Sequence, residues 1–181
     1  MSEKSINVEK NAGNIFIGES PEYKVDSAIN ALLEKLASCS YHFQVKKRKP
    51  SSETIEKINH NNIQSKQHII KQYLDFSSKI EFAYQNIDST IPFGKQIVIQ
   101  NLNDLYYAAL DEVNIDYFKQ EIDMKRIRDE SEFILDFIIQ KLKNIAYESK
   151  NTPSIKEQID LGINVIVAHA FIECVVLETP Q

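Results

Sequence analysis

The stretch Pro153-Ser154-Ile155-Lys156-Glu157-Gln158-Ile159-Asp160-Leu161-Gly162-Ile163-Asn164-Val165-Ile166-Val167-Ala168-His169-Ala170-Phe171-Ile172-Glu173-Cys174-Val175-Val176 decides the fold. Ile155, Ile159, Ile163, Ile166, Ala170, Phe171 and Cys174 recur at the spacing of one helical face. Val165, Val167 and Ile172 cover the other faces. A helix apolar nearly all round belongs at the centre of its domain or inside an interface. Thr152 as N-cap and Pro153 at the first helical position supply its start. The apolar run Val165–Leu177 is interrupted by His169 and Glu173 and is too short to span a bilayer.

Amphipathic helices precede it. One is expected from about Phe118 to Ser149, with Ile127, Ile134, Leu135, Ile138, Leu142 and Ile145 inside. Another runs from about Lys95 to Val113 on Val98, Leu102, Leu105, Tyr106, Ala109 and Leu110. A long one covers about Asn62 to Ile87, its stripe being Ile69, Ile70, Tyr73, Phe76, Ile80, Ala83, Tyr84 and Ile87. Ser89, Pro92 and Gly94 break the chain between these two. Ser51 or Ser52 caps a short helix that carries Ile55 and Ile58.

The first helix is expected from Ser20 and Pro21, on Val25, Ala28, Ile29, Leu32, Leu33 and Leu36, ending near Ala37 to Tyr41. Tyr41, Phe43 and Val45 alternate with polar residues, as a short strand or a frayed helix end would. Ahead of all this, Ile6-Asn7-Val8 and Asn14-Ile15-Phe16-Ile17 flank a turn at Gly13, which predicts a β-hairpin. The sequence therefore predicts a mainly α fold. Residues 1–19 form a hairpin appendage, and 20–181 form an irregular bundle of about five helices around a single core.

Composition agrees with one globular unit. The chain has 181 residues, 43% hydrophobic and 26% charged, enough to bury a core without staples. Its net charge is −5, which counts against a general electrostatic hold on nucleic acid or on an anionic membrane. The arginines are Arg48, Arg126 and Arg128, few for a reader of phosphate or guanine. Cys39 and Cys174 form no CxxC pair and read as reduced thiols. Met1 to Asn14 is polar, unlike a signal peptide, so a cytoplasmic location is expected.

Chemical motifs are sparse. His169 and Glu173, four apart on one helix, have the spacing of a metal or proton-transfer pair, but read as a buried hydrogen-bonded pair. Cys174 reads as a core cysteine. His42, His60 and His68 read as surface or boundary residues. Tyr84, Tyr106 and Tyr107 read as core or boundary rather than a base-stacking platform. Lys46, Lys47, Arg48 and Lys49 are the candidate nucleic-acid contacts, although such a run is commonly a solvated loop. Lys125, Arg126 and Arg128 sit beside Asp129 and Glu130, as on a helical salt-bridge face. The sequence has no P-loop, dinucleotide or nucleophile-elbow motif. It suggests no catalytic set, cofactor or metal, so a non-enzymatic role is expected.

The ending Ile166-Val167-Ala168-His169-Ala170-Phe171-Ile172-Glu173-Cys174-Val175-Val176-Leu177-Glu178-Thr179-Pro180 resembles that of a helical C-terminal domain in bacterial ABC three-component systems, related to Lamassu defence. The shared pattern is Ala-Phe-x-x-Cys followed by aliphatic-Leu-Glu-x-Pro, here Ala170, Phe171, Cys174, Leu177 and Pro180. Tyr73-Leu74 through Tyr84, Ile87-Asp88-Ser89-Thr90-Ile91-Pro92 and the helix to Tyr106 are also similar, so the likeness covers about residues 50–181. It implies an antiviral-defence role in which the domain couples an effector to an SMC-like ABC ATPase. The layout departs from that family in residues 1–50, which are too few for a nuclease or protease domain.

The leading expectation is thus an interaction or adaptor module that binds a larger ATPase or effector, with self-association as a further expectation and no membrane. Two alternatives stay open at this point. One is a nucleic-acid sensor using the Lys46–Lys49 loop. The other is a small metal- or thiol-dependent enzyme around His169, Glu173 and Cys174.

Overall fold

A computed structural model describes residues 24–38, 49–119 and 122–180. The hairpin predicted at 1–19, the helix start at Ser20–Pro21, the alternation at Tyr41–Val45 and the basic residues Lys46, Lys47 and Arg48 lie outside the described residues.

The apolar C-terminal stretch forms α7, Lys156–Ile172, and buries ten of its residues, so nearly every face is covered. Four helices surround it: α3 (Gln67–Asp88), α6 (Ser131–Glu148), α1 (Ala28–Ser38) and α4 (Gly94–Glu112). α2 (Ser52–His60) and the short α5 (Met124–Asp129) complete seven α-helices, with no strand among the described residues. The buried apolar side chains form one continuous cluster. α1 and α7 approach closely at Gly162, where an added Cβ would lie 2.4 Å from Leu33 Cδ2.

Three helix ends share one device. After α2, α4 and α7 the chain enters the left-handed region at Asn62 (φ 53°), Asn114 (φ 53°) and Cys174 (φ 59°). The following amide then reaches back to the carbonyl five residues earlier: Ile63 to Ile58, Ile115 to Leu110 and Val175 to Ala170. This is a Schellman closure, which satisfies carbonyls that the helix leaves free. Glycine is the usual residue at its left-handed position, but this chain has only four glycines. Asparagine is the common substitute, so Cys174 is the unusual occupant.

Several predicted boundaries differ from the structure. Residues 24–27 are not helical, and α1 begins at Ala28. Ser27 is fixed from afar: its amide donates to Asn151 Oδ1 (2.8 Å) and its carbonyl accepts from Asn151 Nδ2 (2.9 Å). Its Oγ then accepts from the Ile29 amide. Val25 stands 61% exposed, outside the stripe predicted for it.

The single helix predicted over Phe118–Ser149 is divided. Asp123 caps α5 through the Arg126 amide, Glu130 interrupts, and α6 starts at Ser131. Thr152 and Pro153 do not start α7. Thr152 Oγ1 instead donates to the Ala146 and Ser149 carbonyls (both 2.7 Å), closing the end of α6. α7 also stops at Ile172, four residues before Val176, because the Schellman closure intervenes.

Candidate functional site at the C-terminal cleft

Beyond the Cys174 closure the chain doubles back along α2. Val176 and Leu177 are buried and anchor the returning segment in the core. Asn61, fully buried at the end of α2, then holds Glu178. Its Nδ2 donates to the Glu178 carbonyl (2.7 Å) and its Oδ1 accepts from the Glu178 amide (3.1 Å). From α4, the Tyr106 hydroxyl donates to Glu178 Oε1 (2.8 Å).

This return leaves a cleft of about 460 Å³ between the start of α2 and the end of the chain. Ser51, Thr54 and Lys57 line one wall; Phe171, Cys174, Thr179 and Pro180 line the other. Three of the five residues of the C-terminal motif, Phe171, Cys174 and Pro180, therefore meet there. Ala170 and Leu177 are buried and do not line it.

Lys57 is the unexpected member. It is only 5% exposed, and its ammonium donates to the Phe171 carbonyl and to Cys174 Sγ, the latter at 3.1 Å. It also lies 4.7 Å from the centroid of the Phe171 ring. The ion pairs among the described residues do not include it. Cys174 is exposed, not the core cysteine expected from its spacing, because the left-handed turn swings it out of the apolar face. The hydrogen bond from Thr179 holds its thiol below the usual range. The bond and charge of Lys57 act in the same direction, while burial and Glu173 oppose them.

His169 and Glu173 do not pair. Glu173 is exposed, and His169, 3% exposed, takes its partners from α3. His169 Nδ1 lies 3.3 Å from the Tyr73 hydroxyl, and Nε2 lies 3.5 Å from Glu81 Oε1. The rings of Tyr73 and Tyr84 pack on the imidazole at 5.7 and 5.4 Å. Burial lowers the His169 pKa against the opposing pull of Glu173 and Glu81.

The remaining candidates disperse. Lys49 is exposed at the edge of a second groove, of about 590 Å³, between α2 and α3. The Arg126 guanidinium donates to the Val113 and Asn114 carbonyls, and Arg128 Nε donates to the Met124 carbonyl. These arginines thus tie down backbone rather than form the salt-bridge face expected of them. His60 is half-buried and His68 exposed, while Tyr84 and Tyr106 are buried and Tyr107 half-buried, as expected. No metal-holding group of three side chains occurs among the described residues, nor is any helix there long and apolar enough to cross a membrane. Sequence reading missed Lys57 altogether, since a lysine in an amphipathic helix normally reads as a solvated residue. Asn61 carries a signal, as one of two adjacent asparagines where a helix ends.

Compared with protein-family models, curated proteins and solved structures, the chain matches none.

Proposed function

We propose that this chain is a non-catalytic adaptor of a bacterial antiphage conflict complex, and that it docks on a larger SMC-like ATPase. The resemblance of its C-terminal segment supplies the partner class. The observation that supports a docking role is the corner between α3 and α4. There Phe93 is 73% exposed and held at φ 60°. A left-handed non-glycine residue costs roughly 1–2 kcal/mol, and exposing a phenyl ring adds to that. Gly94 fixes the arrangement, because it packs so closely on Ile87 that an added Cβ would lie 3.2 Å away. Ile97, one turn on, is 48% exposed, and its amide donates to the Phe93 carbonyl. The two side chains present an apolar corner that a protein partner would cover.

The test is co-expression of the tagged chain with its neighbouring genes, followed by native mass measurement. An ATPase recovered in fixed ratio, and lost from a Phe93→Ser/Ile97→Ser variant that melts like the parent, is the expected result. A lone particle, a self-assembly without an ATPase, or an ATPase complex indifferent to the double substitution overturns the proposal.

A further inference from the structure

We propose that Cys174 is a modification site: its thiolate, paired with the Lys57 ammonium, exchanges with small neutral or cationic disulfides entering the C-terminal cleft. The pairing follows from the burial of Lys57. An ammonium taken out of water is strongly disfavoured without a compensating negative charge. The Phe171 carbonyl supplies only a dipole, and no carboxylate lies within 4 Å of Nζ among the described residues. Among the described residues, the ionisable group touching Nζ is the Cys174 thiol, 3.1 Å away. Its deprotonation gives the buried charge a counter-ion, and the thiolate is the nucleophilic form.

Access distinguishes this thiol from a structural one. Cys174 is exposed, and its residue lines a cleft of about 460 Å³, on the scale of a small-molecule site. The left-handed turn that closes α7 places it there. Charge on the walls selects the reagent. Glu53, Glu56 and Glu173 line the cleft, while Lys57 is already engaged with the sulfur, so an anionic disulfide is repelled.

In the reaction the Cys174 thiolate attacks one sulfur of the disulfide. A new S–S bond forms to Cys174 as the original S–S bond breaks. The departing half leaves as a thiolate and takes a proton from solvent. Cys174 is oxidised to the mixed disulfide, and the departing half is reduced to a thiol. The modified sulfur no longer carries charge, so Lys57 loses its counter-ion at the point where the end of α7 is held.

The experiment uses the full chain with Cys39→Ser, which leaves Cys174 as its single thiol. Rates of reaction with cystamine, 2-hydroxyethyl disulfide and glutathione disulfide are followed by intact mass from pH 6 to 10. The expected pH midpoint lies below that of a free cysteine, about 8.5. Cystamine is expected to react fastest and glutathione disulfide slowest once each is normalised to its rate with free cysteine. Lys57→Met should raise the midpoint and slow the reaction at pH 7 about two- to fourfold, the smaller thiolate fraction being partly offset by the greater nucleophilicity of a more basic thiolate. The same protein in urea is the internal reference and needs no substitution at Lys57. A native thiol slower than the urea-unfolded one at pH 7, a midpoint at or above the unfolded value, or a normalised preference for glutathione disulfide overturns the proposal.

Discussion

The side-chain amide of Asn61 and the backbone of Glu178 form a closed two-bond ring, with donors and acceptors matched on both sides. The same Nδ2 also donates to the Lys57 carbonyl at 3.0 Å, so one amide joins the end of α2 to the returning C-terminal segment. Asn61 is fully buried, and removing it strands the Glu178 backbone groups. Loss of these three hydrogen bonds, one buried and two partly buried, with partners left unpaired, costs about 2–4 kcal/mol. Asn61→Ala is expected to lose that much in urea unfolding. It should also speed proteolysis within Val175–Pro180, read by mass, whereas an Asn59→Ala control at an exposed position should change neither.

α1 and α7 pack closely at Gly162. A methyl group there meets Leu33 Cδ2 at 2.4 Å, and Leu33 is itself buried, so its side chain must shift within the core. Overpacking of this kind costs about 1–3 kcal/mol, more than the roughly 1 kcal/mol that helix propensity gains from glycine to alanine. Gly162→Ala is therefore expected to lower the melting temperature. Gly162→Ala combined with Leu33→Ala should recover part of the clash but expose the cost of a cavity. A melt of Gly162→Ala above the parent would contradict the close packing.

Much of the helical core is legible in the sequence, and the reason is local. The stripe predicted for α3, from Ile69 to Ile87, coincides with the residues that α3 buries, because a 3.6-residue period needs no knowledge of distant chain. What stays hidden depends on contacts far apart in sequence. Ser20 and Pro21 carry local start signals, yet the described chain enters α1 only after Ser27, which Asn151 grips from 124 residues away. His169 has Glu173 one turn along its own helix, but its observed partners Tyr73 and Glu81 come from α3. Lys57 looks like surface charge until the end of α7 places a carbonyl and a thiol above it. Part of the candidate site is thus readable as a motif around Phe171 and Cys174, whereas the lysine that gives it chemistry is not.

Two buried tyrosines make a contrasting pair. The Tyr106 hydroxyl donates to Glu178, and burial and that carboxylate both raise its pKa. The Tyr84 hydroxyl is buried without a hydrogen-bond partner among the described residues, and burial raises its pKa as well. A hydrogen bond to a charged acceptor is worth about 1.5–3 kcal/mol, whereas deleting an unpaired buried hydroxyl is nearly neutral or stabilising. Tyr106→Phe is expected to destabilise by about that amount. Tyr84→Phe should leave the urea midpoint unchanged or raise it. Equal losses for the two substitutions would show that Tyr84 has a partner.

His169 sets an acid limit on stability. Tyr73, Tyr84 and Glu81 face its ring from α3. Lys95 acts from α4, close to Glu81 (3.1 Å) and over the Tyr84 ring, and Glu173 acts from the end of α7. Burial outweighs the carboxylates and lowers the folded-state pKa below the ordinary 6.5. As pH falls below 6.5, the unfolded chain takes up a proton at His169 before the folded chain does, so protons favour unfolding. The contribution is fully present above 6.5 and is lost as pH falls toward the folded-state value. Urea midpoints at pH 7.5 and pH 5 should therefore fall further apart in the parent than in His169→Gln, which keeps a polar side chain but has no proton to gain. The difference between the two slopes isolates His169 from the carboxylates, which remain in both proteins. A parent and variant with the same acid loss would mean that His169 takes up its proton equally in both states, against the burial that the structure gives it.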